Sequence, residues 1–167
     1  MKNKKLIIAG AVAAVVVFSF WWWRNRPARK AERQLVQAAE TASVATDDGE
    51  LIRRMKLSKL RNYIGYELYV DVEGIAGSRV LLQDEALSAW MYVVGRRRRL
   101  SVEIADIALL SADKSSINVA ADISVDSDYK RGRYSGIYPL EIRLRRIERQ
   151  WRVVSMNTRS AKRNSPD

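Results

Sequence analysis

Among the 167 residues there is no cysteine and no histidine. Without cysteine the chain has neither a disulfide framework nor a thiolate nucleophile. Without histidine it loses imidazole metal ligands, Ser-His triads and the usual general base near neutral pH. No glycine-rich phosphate loop, pair of metal-binding acids or nucleophile elbow occurs. The one acidic cluster, Asp47 to Glu50 (DDGE), is too short for a calcium loop and reads as a helix cap. No metal and no cofactor is therefore expected. Acidic charge is also short: 30 lysines and arginines face 19 acids, a net charge of +11. Such an excess serves solubility or an anionic partner, whether lipid headgroups, an envelope polymer or nucleic acid.

What is present begins with a long apolar run. Leu6 to Trp23 is uncharged over eighteen residues, with only Gly10 and Ser19 outside the apolar class. A helix of that length spans roughly 27 Å, close to a bilayer's hydrocarbon core. Residues 1–5 form a basic head, as a signal would have, but a cleavable signal needs small residues just after the run. Here the run ends in Trp21, Trp22, Trp23 and Arg24, which suit the headgroup level. Residues 6–23 therefore read as an uncleaved transmembrane anchor. Basic residues flank both ends almost equally. The layout of a short basic head before an apolar run favours a single-pass inner-membrane protein with its domain on the periplasmic side.

Residues 24–160 read as one α+β domain, followed by a disordered tail, 161–167. Ala28–Ala45 predicts a helix with Ala31, Leu35, Ala38, Ala39 and Ala42 on one face. Asp47 or Asp48 then caps a short helix whose Leu51, Ile52, Met55 and Leu60 are expected to face inward. Tyr66–Gly74 alternates as a strand, and residues 83–95 (QDEALSAWMYVVG) form a third helix with Asp84 and Glu85 at its positive end. Four long strands follow. The first changes face near Ala105 or Asp106, which implies a bulge. The third slips at the Arg145–Arg146 pair. One clean polar face indicates an antiparallel sheet covered on one side only.

This order, with Glu148-Arg149-Gln150-Trp151 turning into a final strand, resembles the nuclear transport factor 2-like (SnoaL-like) superfamily from about Ala28 to Ser160. Many members carry a Gly-Lys-Trp turn where Arg149-Gln150-Trp151 stands here. The resemblance implies a cone-shaped domain of three helices on a curved, mostly antiparallel sheet. It also implies a pocket between helices and sheet, and pairing through sheet faces. Some bacterial members hang from an inner-membrane helix. Catalytic members use a carboxylate base with tyrosine and protonated aspartate donors in an apolar cavity. On that pattern the weak catalytic candidate is Asp106, ahead of Asp71 and Tyr69, with Tyr63, Tyr66, Trp90 and Tyr134 as pocket residues.

Arg96, Arg97, Arg98 and Arg99 are the densest charge cluster and a candidate anion site, since guanidinium groups pair with phosphates. They also suit a helix C-terminus, where cations offset the dipole. Nucleic acid is disfavoured because exposed aromatics are not interleaved with the basic residues. The expected function is a membrane-tethered, non-catalytic interaction or scaffold domain of the bacterial envelope. It would bind a partner protein or pair as a homodimer through the sheet face or pocket. The alternatives are a small-molecule ligand binder, an isomerase-like pocket enzyme, or an anionic-surface binder.

Overall fold

The computed structural model describes residues 26–73, 76–129 and 132–159. In chain order the elements are α1 (Pro27–Ala42), α2 (Glu50–Leu60), β1 (Ile64–Val72), β2 (Ala76–Leu82), α3 (Gln83–Gly95), β3 (Arg99–Ala112), β4 (Ser116–Tyr129), β5 (Gly132–Ile147) and β6 (Gln150–Thr158). The expected anchor at 6–23, its Trp21–Trp23 and Arg24 border, the basic head and the tail lie outside the described residues. Among those described, no helix is long and apolar enough to cross a membrane.

Six strands form one curved sheet in the order β2-β1-β6-β5-β4-β3. Only the β1–β6 pair is parallel. Period-two alternation sends Leu68, Val70 and Val72 of β1, Ile117, Val119 and Ala121 of β4, and Leu140, Ile142 and Leu144 of β5 to one face, where Ala31 and Leu35 of α1 meet them. Helix α1 lies over β3 and β4, and α3 over β1 and β2. A second cluster of Val44, Val94 and Leu100, with Trp90 against it, closes one end. Among the described residues, the other sheet face carries no helix.

Several local expectations need correction. A strand precedes α3: β2 pairs antiparallel with β1 along Glu67–Val72. It escapes a pattern reading because it is an edge strand containing Gly77, Ser78 and Arg79. Leu51, Ile52 and Met55 do not face inward; they are exposed, and only Leu60 of α2 is buried. The helix is rotated by Arg53 and Lys56, which bond inward to the Val94 and Ser43 carbonyls at 3.0 and 2.8 Å. Gly49 occupies the N-cap position. Asp48 instead accepts from the Ala45 N–H at 2.9 Å and the Lys56 ammonium at 2.5 Å. The bulge in β3 is where alternation placed it, between Ala105 and Ala108, with Asp106 at φ 51°. The slip ascribed to Arg145–Arg146 is absent: β5 runs through that pair in register with β6. The extra residue is Val154 of β6, between the pairs Arg143–Ser155 and Leu144–Val153. Ile147 consequently stays on the uncovered face.

Candidate functional site

Cross-strand register builds the site. On the uncovered face Val80 pairs with Tyr69, Tyr69 and Arg143 both pair with Ser155, Arg143 pairs with Asn118, and Asn118 with Ser111. One row of six side chains therefore crosses all six strands. It forms the floor of an open groove of about 850 Å³, walled by Tyr66, Leu110, Ile147 and Val154 and carrying Glu67, Glu141 and Arg145.

The row is held by its own polar bonds. Arg143 donates from Nε to Asn118 Oδ1 at 2.9 Å, and Asn118 donates from Nδ2 to Ser111 Oγ at 2.6 Å. This relay orients the Arg143 side chain on the exposed face. The Tyr69 hydroxyl lies 2.6 Å from Ser78 Oγ on the neighbouring edge strand. β1 contributes both Tyr66 and Glu67 because it advances five residues, Ile64 to Tyr69, while β6 advances two, Val153 to Ser155. Normal alternation would have sent one of them inward. Tyr66 donates its hydroxyl hydrogen to Glu148 at 2.8 Å, and the Arg152 guanidinium lies 5.1 Å from its ring centre. Arg152 is buried and is the other donor to Glu148, at 2.9 Å.

The face toward the helices offers a different chemistry. It is lined by the aliphatic core, with Gln83 and Ser127 as buried polar side chains among the described residues, whereas buried Arg152 pairs with Arg145 and belongs to the uncovered face. None of the described carboxylates is buried. Gln83 is spent structurally, donating to the Arg61 and Ile64 carbonyls at 2.9 and 2.7 Å. Among the described residues, no three carboxylates gather closely enough to hold a metal ion. Three acids have their pKa lowered, all away from the groove: Asp48 by the Lys56 hydrogen bond, Asp113 by the Ser115 and Ser116 N–H groups, and Asp126 by Arg133.

The residues singled out from the sequence do not converge. Of the four pocket candidates, Tyr66 lines the groove. Tyr63 is half-buried at the α2–β1 junction, where its carbonyl accepts from the Val153 N–H at 2.7 Å. Trp90 donates from Nε1 to the Ala42 carbonyl at 3.0 Å and packs on the second core cluster. Tyr134 is exposed on β5, opposite Ser127. Asp106 is exposed at its bulge, and Asp71 is exposed beside Asn157. The four arginines divide: Arg96 stacks on Tyr92 at 4.0 Å, Arg97 donates to the buried Ser127 hydroxyl, and Arg98 and Arg99 are exposed. Sequence reasoning missed Arg143, Asn118 and Ser111 as a set. Their shared parity was visible, but the pairing of one strand with the next was not.

No protein-family model matches the chain, and no curated protein matches it in sequence. Solved structures do. A protein from Kribbella flavida superposes with a TM-score of 0.64 at 13% identity, over 77% of this chain and 86% of that one. A candidate scytalone dehydratase from Novosphingobium aromaticivorans gives 0.59 at 14%, over 78% and 81%. A candidate dehydratase of the NTF2-like family from Streptomyces avermitilis gives 0.59 at 10%, over 77% and 92%. The domain thus has the nuclear transport factor 2-like fold. At these identities the likeness is one of fold alone.

Proposed function

We propose that this chain is a membrane-tethered binding domain that takes a partner protein, or a second copy of itself, across the uncovered face of its sheet. The observation that carries this reading is the six-residue row from Val80 to Ser111, which floors an open groove rather than an enclosed cavity. Tyrosine and arginine are among the side chains that most often anchor protein interfaces, and Tyr66, Tyr69, Arg143 and Arg145 all line this groove. The tether is residues 6–23, in a single pass through the inner membrane with the domain on the periplasmic side. Its support is the uncharged length of that run and the Trp21–Trp23 border.

The test uses the full chain in its native membrane, with Tyr69→Cys or Ser155→Cys as the sole cysteine for crosslinking. A crosslinked partner or dimer is expected from both positions. Arg143→Ala should weaken that complex on the order of tenfold or more. Equal crosslinking from Cys placed at Glu40 on α1, or none from the groove, would overturn the reading.

A small ligand in the same groove is the second reading, supported by the dehydratase names of two structural neighbours. The Arg143 and Arg145 guanidiniums beside the Tyr66 and Tyr69 rings would suit an aromatic carboxylate. Calorimetric titration with such acids separates the two readings: saturable binding lost in Arg143→Ala favours the ligand.

A further inference from the structure

Helix α2 turns two of its cations, Arg53 and Lys56, toward the protein and leaves three large apolar side chains, Leu51, Ile52 and Met55, toward solvent. Arg53 donates to the Asp48 and Val94 carbonyls at 3.1 and 3.0 Å, and Lys56 donates to the Ser43 carbonyl and the Asp48 carboxylate. Those bonds fix the rotation of the helix. Leu51, Ile52 and Met55 are left 73%, 42% and 54% exposed on its far side.

The Arg53–Val94 bond also ties the start of α2 to the end of α3. There Tyr92 is 60% exposed, with the Arg96 guanidinium 4.0 Å from its ring centre and Arg98 and Arg99 exposed just beyond. Exposed Arg54 and Lys59 flank the apolar residues on α2 itself. The acids nearby are Asp47, Glu50, which pairs with Arg54, Asp84, which pairs with Arg61, and, beside Arg98 and Arg99, Asp128 and Asp126, the latter paired with Arg133. An apolar helical face with a basic rim is the arrangement that lies in a lipid headgroup layer.

We propose that Leu51, Ile52 and Met55, with Tyr92 and the Arg96, Arg98 and Arg99 rim, dock the domain on an anionic membrane surface. The inference rests on the tether reading. Residue 23 ends the uncharged run four positions before α1 begins. The sixteen residues of α1, about 24 Å, and the seven-residue loop 43–49 then lead to α2, so the patch follows the tether closely along the chain. Charge selects lipid over a second copy, because a two-fold contact would bring like-charged arginine rims together. Anionic headgroups attract each exposed Lys or Arg and complement the rim. The helices pack on one sheet face and the groove opens on the other. A domain lying helix-layer down therefore presents its groove away from the lipid.

The absence of native cysteine permits single labels. Leu51→Cys and Met55→Cys, with Ile137→Cys as a control on exposed β5, carry an environment-sensitive fluorophore on the full chain. The protein is reconstituted in phosphatidylcholine vesicles with or without phosphatidylglycerol. Labels at 51 and 55 should shift to the blue and be quenched by nitroxide-bearing lipid in the anionic vesicles, while the label at 137 stays water-like. Replacing Arg96, Arg98 and Arg99 by glutamine should reduce the docked population about fivefold per charge removed. Labels at 51 and 55 that remain wet, or are shielded without lipid quenching, overturn the proposal; the second outcome indicates a protein contact. A carbonate wash separates the two failures. A chain that stays with the vesicles while its labels are wet defeats the docking face alone, whereas a chain that washes off defeats the tether.

Discussion

Arg152 donates from Nη2 to Glu148 Oε2 at 2.9 Å across the β5–β6 hairpin, and the arginine is buried while the glutamate is exposed. The same carboxylate accepts from Tyr66, so one exposed acid holds both a buried cation and a wall of the groove. Arg152 Nε has no partner among the described residues. Glu148→Ala should cost roughly 1–3 kcal/mol, since it strands a buried guanidinium. Arg152→Met should cost less than Glu148→Ala, because an apolar chain of similar length removes the desolvated charge altogether. Urea midpoints of the two variants in the opposite order would refute this account.

The hairpin turn places Glu148 at φ 51° and Arg149 at φ 67°. Left-handed backbone costs an ordinary residue about 1–2 kcal/mol, of which glycine recovers all but its own entropy of about 0.5–1 kcal/mol. Arg149→Gly should therefore stabilise the domain by about 0.5–1 kcal/mol, read as a higher thermal midpoint. Glu148→Gly should not, because it also removes the carboxylate.

Gly65 is required by the Val154 bulge. A Cβ there would stand 2.8 Å from Val154 Cγ1, 3.1 Å from the Glu67 carbonyl and 3.3 Å from that of Val153. Gly65→Ala should cost about 1–3 kcal/mol by overpacking. Adding Val154→Ala should recover part of that loss, since it withdraws the nearest atom. A double-mutant cycle with no coupling would show that the bulge is not the cause.

Acid should unfold the domain through its depressed carboxylates. The Lys56 hydrogen bond, with help from the Ala45 N–H, holds Asp48 below the usual carboxylate range. A folded-state pKa below the unfolded one means that the unfolded chain binds the extra proton. Stability is then fully present above the ordinary aspartate range, about pH 4, and is lost as pH falls through the lowered value. Asp113 and Asp126 shift in the same direction. The thermal midpoint should be flat from neutrality to about pH 5 and fall below about pH 4. Asp48→Asn should be less stable at neutrality and have a shallower acid slope.

Much of the fold was legible because burial on one sheet face leaves a period of two. The alternation at Ile117–Val125, the change of face at Asp106 and the Ala31–Leu35–Ala39 stripe all have direct structural counterparts. Edge strand β2 was hidden, since a strand with one neighbour and little burial need not alternate. The rotation of α2 was misread because apolar content was taken as burial, whereas Arg53 and Lys56 reach carbonyls that only the tertiary structure brings near.

The site divides the same way. By itself the sequence determined the uncharged run at 6–23, the basic excess, and which side chains of each strand share a parity, since all are properties of neighbours along the chain. Only the tertiary structure decided that Val80, Tyr69, Ser155, Arg143, Asn118 and Ser111 stand in one row. A cross-strand row depends on register, and bulges such as Val154 reset register between residues that no local pattern connects.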